Sequence, residues 1–271
     1  MFPLKTPGEL RQVAFSNLEP KEMHALSPHE ESPRRPFGLP SLVEGLSNER
    51  KFVGDALLAP EAERMLAAIC LPDGEHPEGK IRSVYFDSPR LEAYAEKANG
   101  DNLKQKVRLR WYEEEAAPDD ADIPVWLEIK AREGAARRKV RHRALAPACQ
   151  LRHAPLDGPF FQELLARLAH EGNLPVPLGW LPVVRLGYRR TRWLCPFTGT
   201  RVALDRDVAA TGFHPLLFPA AGPIRLPISL VEYKNAGGAP PPWAETLFRV
   251  GYRLRSHSKF AACIDHLRNG L

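Results

Sequence analysis

The stretch K-V-R-L-R-W at Lys106–Trp111 alternates basic with apolar side chains at every second position. Side chains of a β-strand point alternately to its two faces, so this pattern predicts a strand with one cationic and one apolar face. The segments W-L-E-I-K at Trp126–Lys130 and R-R-K-V-R-H-R at Arg137–Arg143 repeat the period. Lining the inside of a closed barrel, three such strands would form a cationic channel suited to a polyanion.

The bulk composition indicates a globular protein whose positive charge is concentrated locally. Of 271 residues, 44% are hydrophobic and 26% charged, and 38 basic against 33 acidic side chains give a net charge of +5. This modest excess argues against a general nucleic-acid-binding surface, and no nucleic-acid partner is expected. The four cysteines form no C-x-x-C pair, which favours a reducing, cytoplasmic location. With no membrane span or signal peptide in the sequence, we expect any membrane link to come from a membrane-protein partner.

The composition divides the chain into two parts. Residues 1–46 are rich in Pro, Ser and Glu, which predicts a mobile tail, and residues 47–271 form one folded domain. Period-two segments predict five strands besides the three above: Asn48–Val53, Ile81–Asp87, Val183–Trp193, Arg201–Val208 and Ile228–Lys234. Helices are predicted at Glu61–Cys70, Leu91–Ala98, Gly158–His170 and Ser258–Arg268. Eight strands are enough to close a barrel that holds an elongated small ligand.

Eight short motifs give the chain a resemblance to a known family. They are N-E-R-K-F-V, I-R-S-V-Y-F-D-S-P, K-V-R-L-R-W-Y, W-L-E-I-K, G-Y-R-R, R-V-A-L-D-R, L-V-E-Y-K and S-H-S-K-F, in this order. Over about residues 48–267 the chain resembles the VTC domain, the catalytic domain of the vacuolar transporter chaperone polyphosphate polymerases. That domain belongs to the triphosphate tunnel metalloenzyme, or CYTH-like, superfamily.

The resemblance implies both a fold and an activity. The implied fold is α+β, an eight-stranded antiparallel β-barrel tunnel with helices packed outside. The implied activity transfers the γ-phosphoryl group of ATP, or of another nucleoside triphosphate, to orthophosphate, pyrophosphate or a growing polyphosphate chain. The implied cofactor is Mn²⁺ or Mg²⁺.

Matching the motifs position by position also implies a set of site residues. The basic residues that would bind the phosphates and stabilise their transfer are Lys51, Arg108, Arg110, Lys130, Lys139, Arg190, Arg201 and Lys259, with Ser258 beside the last. Within G-Y-R-R, Arg190 is the better match and Arg189 is the alternative. Glu232 falls on the metal-binding glutamate of the family. Glu49 and Glu128 are candidates to assist it, because carboxylate oxygens are the ligands that hard divalent ions prefer.

Several residues have an alternative role. Glu128 beside Lys130 is equally well explained as a cross-strand ion partner. Asp205 and Asp207 are as consistent with ending a strand and pairing with Arg206 as with touching a metal. A surface position is favoured over the tunnel mouth for Arg137, Arg141 and Arg143. Packing between barrel and helices is expected for Trp111, Trp126 and Trp193.

Two other functions compete with the polymerase. The first is a metal-dependent triphosphatase of the same superfamily, with water as the acceptor. Hydrolases of that superfamily often carry E-x-E-x-K on the first strand, whereas this chain has N-E-R-K at Asn48–Lys51. The second is a non-catalytic module that binds polyphosphate through its basic face.

Overall fold

The protein is described by a computed structural model covering residues 48–99, 103–113, 118–133, 136–235 and 240–270. The tail predicted over residues 1–46 lies outside the described residues, and its mobility stays a prediction. The elements in chain order are β1 Asn48–Asp55, a 3₁₀ helix Ala56–Leu58, α1 Ala59–Ile69, β2 Leu71–Pro72, β3 Glu78–Asp87, α2 Glu92–Asn99, β4 Leu103–Glu113, β5 Asp122–Glu133, β6 Ala136–Pro147, α3 Ala148–His153, α4 Phe160–Glu171, β7 Leu181–Leu194, β8 Arg201–Phe213, β9 Ile224–Arg225, β10 Ile228–Asn235, α5 Trp243–Val250, β11 Arg253–Leu254 and α6 Lys259–Gly270.

The strands form one antiparallel sheet. Their order is β11-β1-β10-β8-β7-β3-β4-β5-β6, with β2 beside β7 and β9 beside β8. Three of the eleven strands have only two residues, and the other eight correspond to the eight strands predicted from the sequence. The α+β class is therefore confirmed. In the part of the chain that the structure describes, β6 pairs with β5 alone, so the closed eight-stranded barrel stays a prediction.

The sheet curls so that distant strands face each other. Five strands separate β1 from β5 in the sheet order. Even so, Lys130 on β5 lies close enough to Glu49 on β1 to influence its ionisation. Burial raises the pKa of Glu49, whereas Lys51 and then Lys130 lower it, and the net shift is downward. Lys106 on β4 donates to Ser258, and the next residue, Lys259, pairs with Asp205 on β8. The start of α6 therefore connects two distant parts of the curled sheet.

Helices cover the outer surface of the sheet in two groups. α3 and α4 pack over β3 to β6 in an apolar cluster that includes Trp111, Leu127 and Leu168. α1 and α5 pack over β1, β10, β8 and β7 in another, which includes Leu66 and Trp193. The packing role predicted for Trp111 and Trp193 is confirmed, since both side chains are buried.

α6, with Tyr94 of α2 beside it, covers one end of the inner face. Phe260, Cys263 and Ile264 pack with inward-pointing side chains such as Leu186 and Leu230. Ser258 directly precedes α6 and caps it, since its Oγ accepts a hydrogen bond from the backbone N–H of Ala261 at 3.4 Å. α6 therefore closes the apolar end of the inner face and brings Lys259 to its charged part.

Two helices are absent from the sequence prediction. α5 follows three consecutive prolines and ends at Gly251, whose φ of 111° suits glycine. α3 has only six residues, too few to show a helical period. Within the described ranges, no helix combines the length and the apolar character that a membrane crossing requires.

Candidate functional site

The inner face of β4, β5 and β6 carries three rows of charged side chains. Directly opposed residues of an antiparallel ladder project to the same face. Strand register therefore aligns Lys106 with Lys130 and Lys139, Arg108 with Glu128 and Arg141, and Arg110 with Trp126 and Arg143. The apolar residues between them, such as Leu109 and Leu127, point outward under α4. The two-faced strands predicted from K-V-R-L-R-W are confirmed.

The other half of the sheet contributes a compact ion cluster centred on two carboxylates. Glu232 on β10 lies opposite Lys51 on β1, and Asp205 on β8 lies opposite Arg190 on β7. Arg190 Nε and Nη2 donate to the two oxygens of Asp205 at 2.5 and 2.7 Å, and Nη2 also reaches Glu232 Oε2 at 2.9 Å. Lys51 Nζ is 3.0 Å from Glu232 Oε1. Lys259 pairs with Asp205 and is 3.9 Å from Glu232 Oε1.

These carboxylates stay ionised although they are taken out of water. Burial favours the neutral acid, but Lys259, Arg190 and Lys51 outweigh it and hold the pKa of Glu232 well below its usual range. Burial opposes ionisation of Asp205 in the same way, and Arg190 and Lys259 lower its pKa. A buried ion cluster is expensive to desolvate and seldom stabilises a fold for its own sake. Its presence on the inner face therefore points to function.

A second cluster holds the two arginines of K-V-R-L-R-W. Arg108 donates from Nε to Glu128 Oε2 at 2.7 Å and from Nη1 to the Tyr85 hydroxyl at 2.8 Å. Arg110 Nη2 donates to the Tyr188 hydroxyl at 3.1 Å, and its Nη1 is 3.7 Å from Glu128. Each guanidinium is thus fixed by acceptors on neighbouring strands. This arrangement holds two planar, bidentate donors close together on one surface.

The excess of cations perturbs the groups that face them. Burial would favour the neutral phenol, but Arg108, Lys106 and Arg110 lower the pKa of Tyr85 to about 7. Burial lowers the pKa of Lys106 to about 8, and nearby cations such as Arg108 act in the same direction. Desolvation likewise lowers the pKa of Lys130 to about 8; the Glu49 carboxylate opposes this shift, and cations such as Arg108 and Lys51 add to it. Such shifts are expected where like charges converge before a counter-ion binds.

Two of the predicted site residues lie outside these clusters. Lys139 is exposed on β6, although its register places it in the row of Lys106 and Lys130. Arg201 is exposed at the start of β8, opposite Lys234. The structure also separates the two arginines of G-Y-R-R. Arg190 joins the Glu232 cluster. Arg189, the preceding residue of β7, is exposed and projects to the opposite face, because successive side chains of a strand alternate between faces.

Two sequence interpretations need correction, and a third is confirmed. Asp205 does not end a strand or pair with Arg206, because it is fully buried within β8 and pairs with Arg190 and Lys259. Asp207 pairs with Arg225 at 3.0 Å at an irregular point of β8, where its φ is 54°. Glu128 is a cross-strand ion partner, as one of its two sequence interpretations had it, because its carboxylate pairs with Arg108 on β4.

Two more corrections concern the inner face. Trp126 does not pack between sheet and helices, since its register places it on the face of Arg110, with Arg143 over its ring at 5.9 Å from the centroid. Arg141 and Arg143 are exposed as expected, yet they project to the same face as the site. The side chain of Arg137 lies outside the described residues.

Tyr85 and Tyr188 are site residues that the sequence prediction missed, and it left Asp205 open between the end of a strand and a metal contact. A signal was available for Asp205, because it shares a strand face with Arg201 and Ala203 in R-V-A-L-D. The two tyrosines gave no sequence signal, because an inward tyrosine has the pattern of an ordinary core residue. Their role is visible only in the hydrogen bonds that their hydroxyls accept from Arg108 and Arg110. Only the three-dimensional contacts identify them.

The carboxylates fit a divalent ion that shares its ligands with a bound phosphate. Within the described ranges no three His, Cys, Asp or Glu side chains are grouped as a metal cage. Glu49 and Glu232 each lie 3.0 Å from Lys51 Nζ, so the two carboxylates flank one ammonium group. Glu128 belongs to the separate arginine cluster. One or two carboxylates completed by phosphate oxygens is the way in which Mg²⁺ is commonly held.

Comparison with known proteins adds a family to this geometry. No curated protein sequence matches the chain. The solved structures that are similar to it include two of putative adenylate cyclases. The one from Bacillus halodurans has 13% identity and a TM-score of 0.40, covering 76% of this chain and 87% of the other. The one from Vibrio parahaemolyticus has 9% identity and a TM-score of 0.41, covering 81% and 99%.

The family comparison covers most of the chain. The model of the VTC domain matches residues 43–268, a span that contains every described strand and both ion clusters. It agrees with the eight motifs found in the sequence. The chain therefore belongs to the VTC domain family.

Proposed function

We propose that this chain is a polyphosphate polymerase that transfers the γ-phosphoryl group of ATP to a growing inorganic polyphosphate chain. The observation that supports it most is the inner face of the sheet, where cations outnumber acids by more than two to one. Among the described residues, the cations that register or contacts place there include Lys51, Lys106, Arg108, Arg110, Lys130, Lys139, Arg141, Arg143, Arg190, Arg201, Lys234 and Lys259, and the acids include Glu49, Glu128, Asp205 and Glu232. We also propose that the curled sheet closes into the family's eight-stranded tunnel around this face.

The chemistry of a phosphate chain explains this charge balance. Such a chain carries about one negative charge per phosphoryl unit and more at its ends. Moving it out of water requires matched cations, since an unpaired charge in a dry site is very costly. The paired guanidiniums of Arg108 and Arg110 supply forked donors, and Lys51, Lys130 and Lys259 supply compact charges. Ser258, at the start of α6, adds a hydroxyl beside Lys106.

In the proposed reaction a terminal oxygen of the acceptor chain attacks the γ-phosphorus in line with the bridging oxygen. The β–γ bridging P–O bond breaks, ADP leaves with the bond's electron pair, and a new P–O–P linkage forms. Phosphoryl transfer requires positioning and electrostatic stabilisation rather than a protein nucleophile. Arg108, Arg110 and Arg190 would bind the equatorial oxygens and compensate their charge. We expect no covalent enzyme intermediate.

Glu232, with Glu49 beside it, would hold Mn²⁺ or Mg²⁺ when nucleotide binds. A bound divalent ion offsets charge on the phosphates and orients them for in-line attack. The role of Glu232 requires that Lys51 and Arg190 release its oxygens. Phosphate oxygens offer those cations an alternative partner, so nucleotide binding would free the carboxylate at the moment it is needed.

The surplus of cations also favours a polyanionic acceptor over water. Lys106, Lys130 and Lys139 form a row with no acid in it. A hydrolase needs to neutralise only its triphosphate substrate, whereas a polymerase binds a donor and a second phosphate chain together. A row of cations beyond the two arginine-containing clusters suits the second chain.

Incubating the purified protein with ATP and Mn²⁺ or Mg²⁺, with and without pyrophosphate, tests the proposal. The products are separated on a gel stained for polyphosphate, and free phosphate is assayed in parallel. A ladder of long chains with release of ADP is the expected result. Free phosphate without a ladder would instead show a triphosphatase, and neither product would favour a module that only binds polyphosphate.

A further inference from the structure

The basic segment R-R-K-V-R-H-R contains two arginines that the proposed reaction does not use. Arg141 lies in the row of Arg108 and Glu128, and Arg143 in the row of Arg110 and Trp126. Both side chains project to the inner face, whereas Val140 and His142 project to the outer face under α4. The two arginines therefore continue the phosphate-binding surface onto the last strand of the described sheet.

Their surroundings differ from those of the arginines within the clusters. Arg108, Arg110 and Arg190 each contact a carboxylate. Among the described residues, Arg141 and Arg143 take part in no ion pair, and the one aromatic contact is that of Arg143 with Trp126. Both are exposed to water. An exposed guanidinium without an acid partner binds phosphate without first breaking an ion pair, so its position suits a ligand that arrives from solvent.

We infer that the inner face of β6 is a binding track for long polyphosphate, in which Arg141 and Arg143 hold phosphoryl units beyond those held by Lys130 and Lys139. Lys139, Arg141 and Arg143 follow each other at every second residue, about 7 Å apart along the strand. Such a line matches an extended phosphate chain rather than a compact triphosphate. The inference rests on the proposed function for its ligand class and deepens it by placing the polymer.

Protection of a sheet edge is a second role that would explain the basic residues of β6, and the experiment has to separate it from polyphosphate binding. Edge strands often carry exposed basic residues because these prevent pairing with the edge of another molecule. That role does not depend on the face to which a side chain points. Arg138 is exposed on the same strand but projects to the opposite face, so it provides the comparison.

The test measures binding of two phosphate ligands to a double variant. Arg141→Ala/Arg143→Ala is compared with wild type and with Arg138→Ala/Arg64→Ala. This control removes the same charge away from the inner face, because Arg138 projects outward on β6 and Arg64 is exposed on α1, where it pairs with Glu61. Long-chain polyphosphate and tripolyphosphate are titrated by calorimetry at several salt concentrations, without nucleotide or metal. For the inner-face variant we expect the affinity for the long chain to fall at least several-fold. The slope of log affinity against log salt should flatten by about one unit per lost phosphate contact.

Tripolyphosphate affinity should stay unchanged in both variants, and the control variant should bind the long chain as wild type does. The inference is overturned if the inner-face variant binds the long chain normally. An equal loss for both ligands, or for both variants, would overturn it as well.

The same experiment keeps the inference apart from the proposed function. Binding of the long chain through Arg141 and Arg143, in a protein that makes no polyphosphate from ATP, would refute the polymerase and leave the track standing. Normal synthesis together with unchanged long-chain binding in the double variant would refute the track alone.

Discussion

Asp205 is fully buried, and Arg190 and Lys259 both pair with it. Asp205→Asn keeps the shape of the side chain but removes the charge, leaving two buried cations with Glu232 alone. Removing one partner of a buried ion pair typically costs about 3–5 kcal/mol, so we expect the free energy of unfolding to fall by that amount. Denaturant unfolding monitored by circular dichroism measures it.

Tripolyphosphate should restore part of that loss, because its charge replaces the missing carboxylate, and the gain in melting temperature on adding it should exceed that of wild type. Asp207→Asn is the matched control, since Asp207 is half exposed and pairs with Arg225 on the surface. Equal stability of the two variants would show that Asp205 contributes little to holding the site together.

Glu232 carries a different expectation, because its proposed partner is a metal ion. Glu232→Gln should lower turnover by about a hundredfold or more, as loss of a group that organises charge in the transition state commonly does. Binding of tripolyphosphate without metal should persist or tighten, since Lys51 and Arg190 lose a competing acceptor. Steady-state kinetics and calorimetry separate the two effects.

A control for Glu232→Gln is Glu63→Gln, which removes a carboxylate paired with Arg206 away from the ion cluster. Its turnover and binding should resemble wild type. Wild-type activity in Glu232→Gln would refute the metal assignment.

The lowered pKa values of Lys106 and Lys130, about 8, predict a pH dependence of binding. A bound polyanion favours the charged ammonium, so binding above pH 8 should take up protons, and affinity should fall as the pH rises through 8. Tyr85 contributes in the same direction, because a polyanion offsets the cations that lower its pKa. Calorimetry in buffers of different ionisation enthalpy measures the uptake. Lys106→Met/Lys130→Met should reduce it, and no uptake at pH 8.5 in wild type would contradict the shifts.

The free energy of unfolding should also depend on pH through Lys106 and Lys130. Their pKa values are lower in the folded protein than the ordinary 10.5, so the folded state binds fewer protons than the unfolded state between those values. Their contribution to the free energy of unfolding therefore rises as the pH increases from about 8 to 10.5, and it is least favourable below pH 8.

At the scale of elements, α6 links the core to the site. Phe260 is 5% exposed and stacks on Tyr85 with ring centroids 5.4 Å apart, and Tyr85 in turn accepts from Arg108. Phe260→Ala should cost about 3–5 kcal/mol of stability through the cavity it leaves. It should also weaken tripolyphosphate binding, because the ring that positions Arg108 loses its support.

Phe161→Ala is the matched control, since Phe161 is a fully buried aromatic of α4, which packs on the outer face. It should lower stability to a similar extent and leave phosphate affinity unchanged. Equal binding in the two variants would show that α6 supports the fold without influencing the site.

The elements differ in how far the sequence predicts them. Strands β4, β5 and β6 were found because their inner and outer faces differ in charge, and that contrast survives without any tertiary information. α5 was missed because it packs Trp243 and Leu247 through only two turns, after a run of prolines that resembles a loop. Short helices depend on tertiary packing rather than on their own period, so they give the weakest signals.

At the scale of the whole molecule, the sequence predicts which residues face inward but not which of them meet. The period of two places Lys51, Arg108 and Glu232 on inner faces. The contacts of Lys259 with Asp205 and of Arg108 with Tyr85 depend on how far the sheet curls, and the curl depends on irregular points such as Asp207, which a pattern does not show. Family motifs supplied the order of the site residues, and the structure supplied their pairing.

The division of the chain predicts how much of it the proposed activity needs. The described apolar clusters draw on residues from Phe52 to Leu267, and the family match begins at residue 43. The tail has the composition of a segment that buries too little apolar surface to fold. Deleting residues 1–45 should therefore leave the melting temperature and polyphosphate synthesis close to those of the full chain. Thermal unfolding and the gel assay check both, and insoluble or destabilised protein would show that the tail packs against the folded domain.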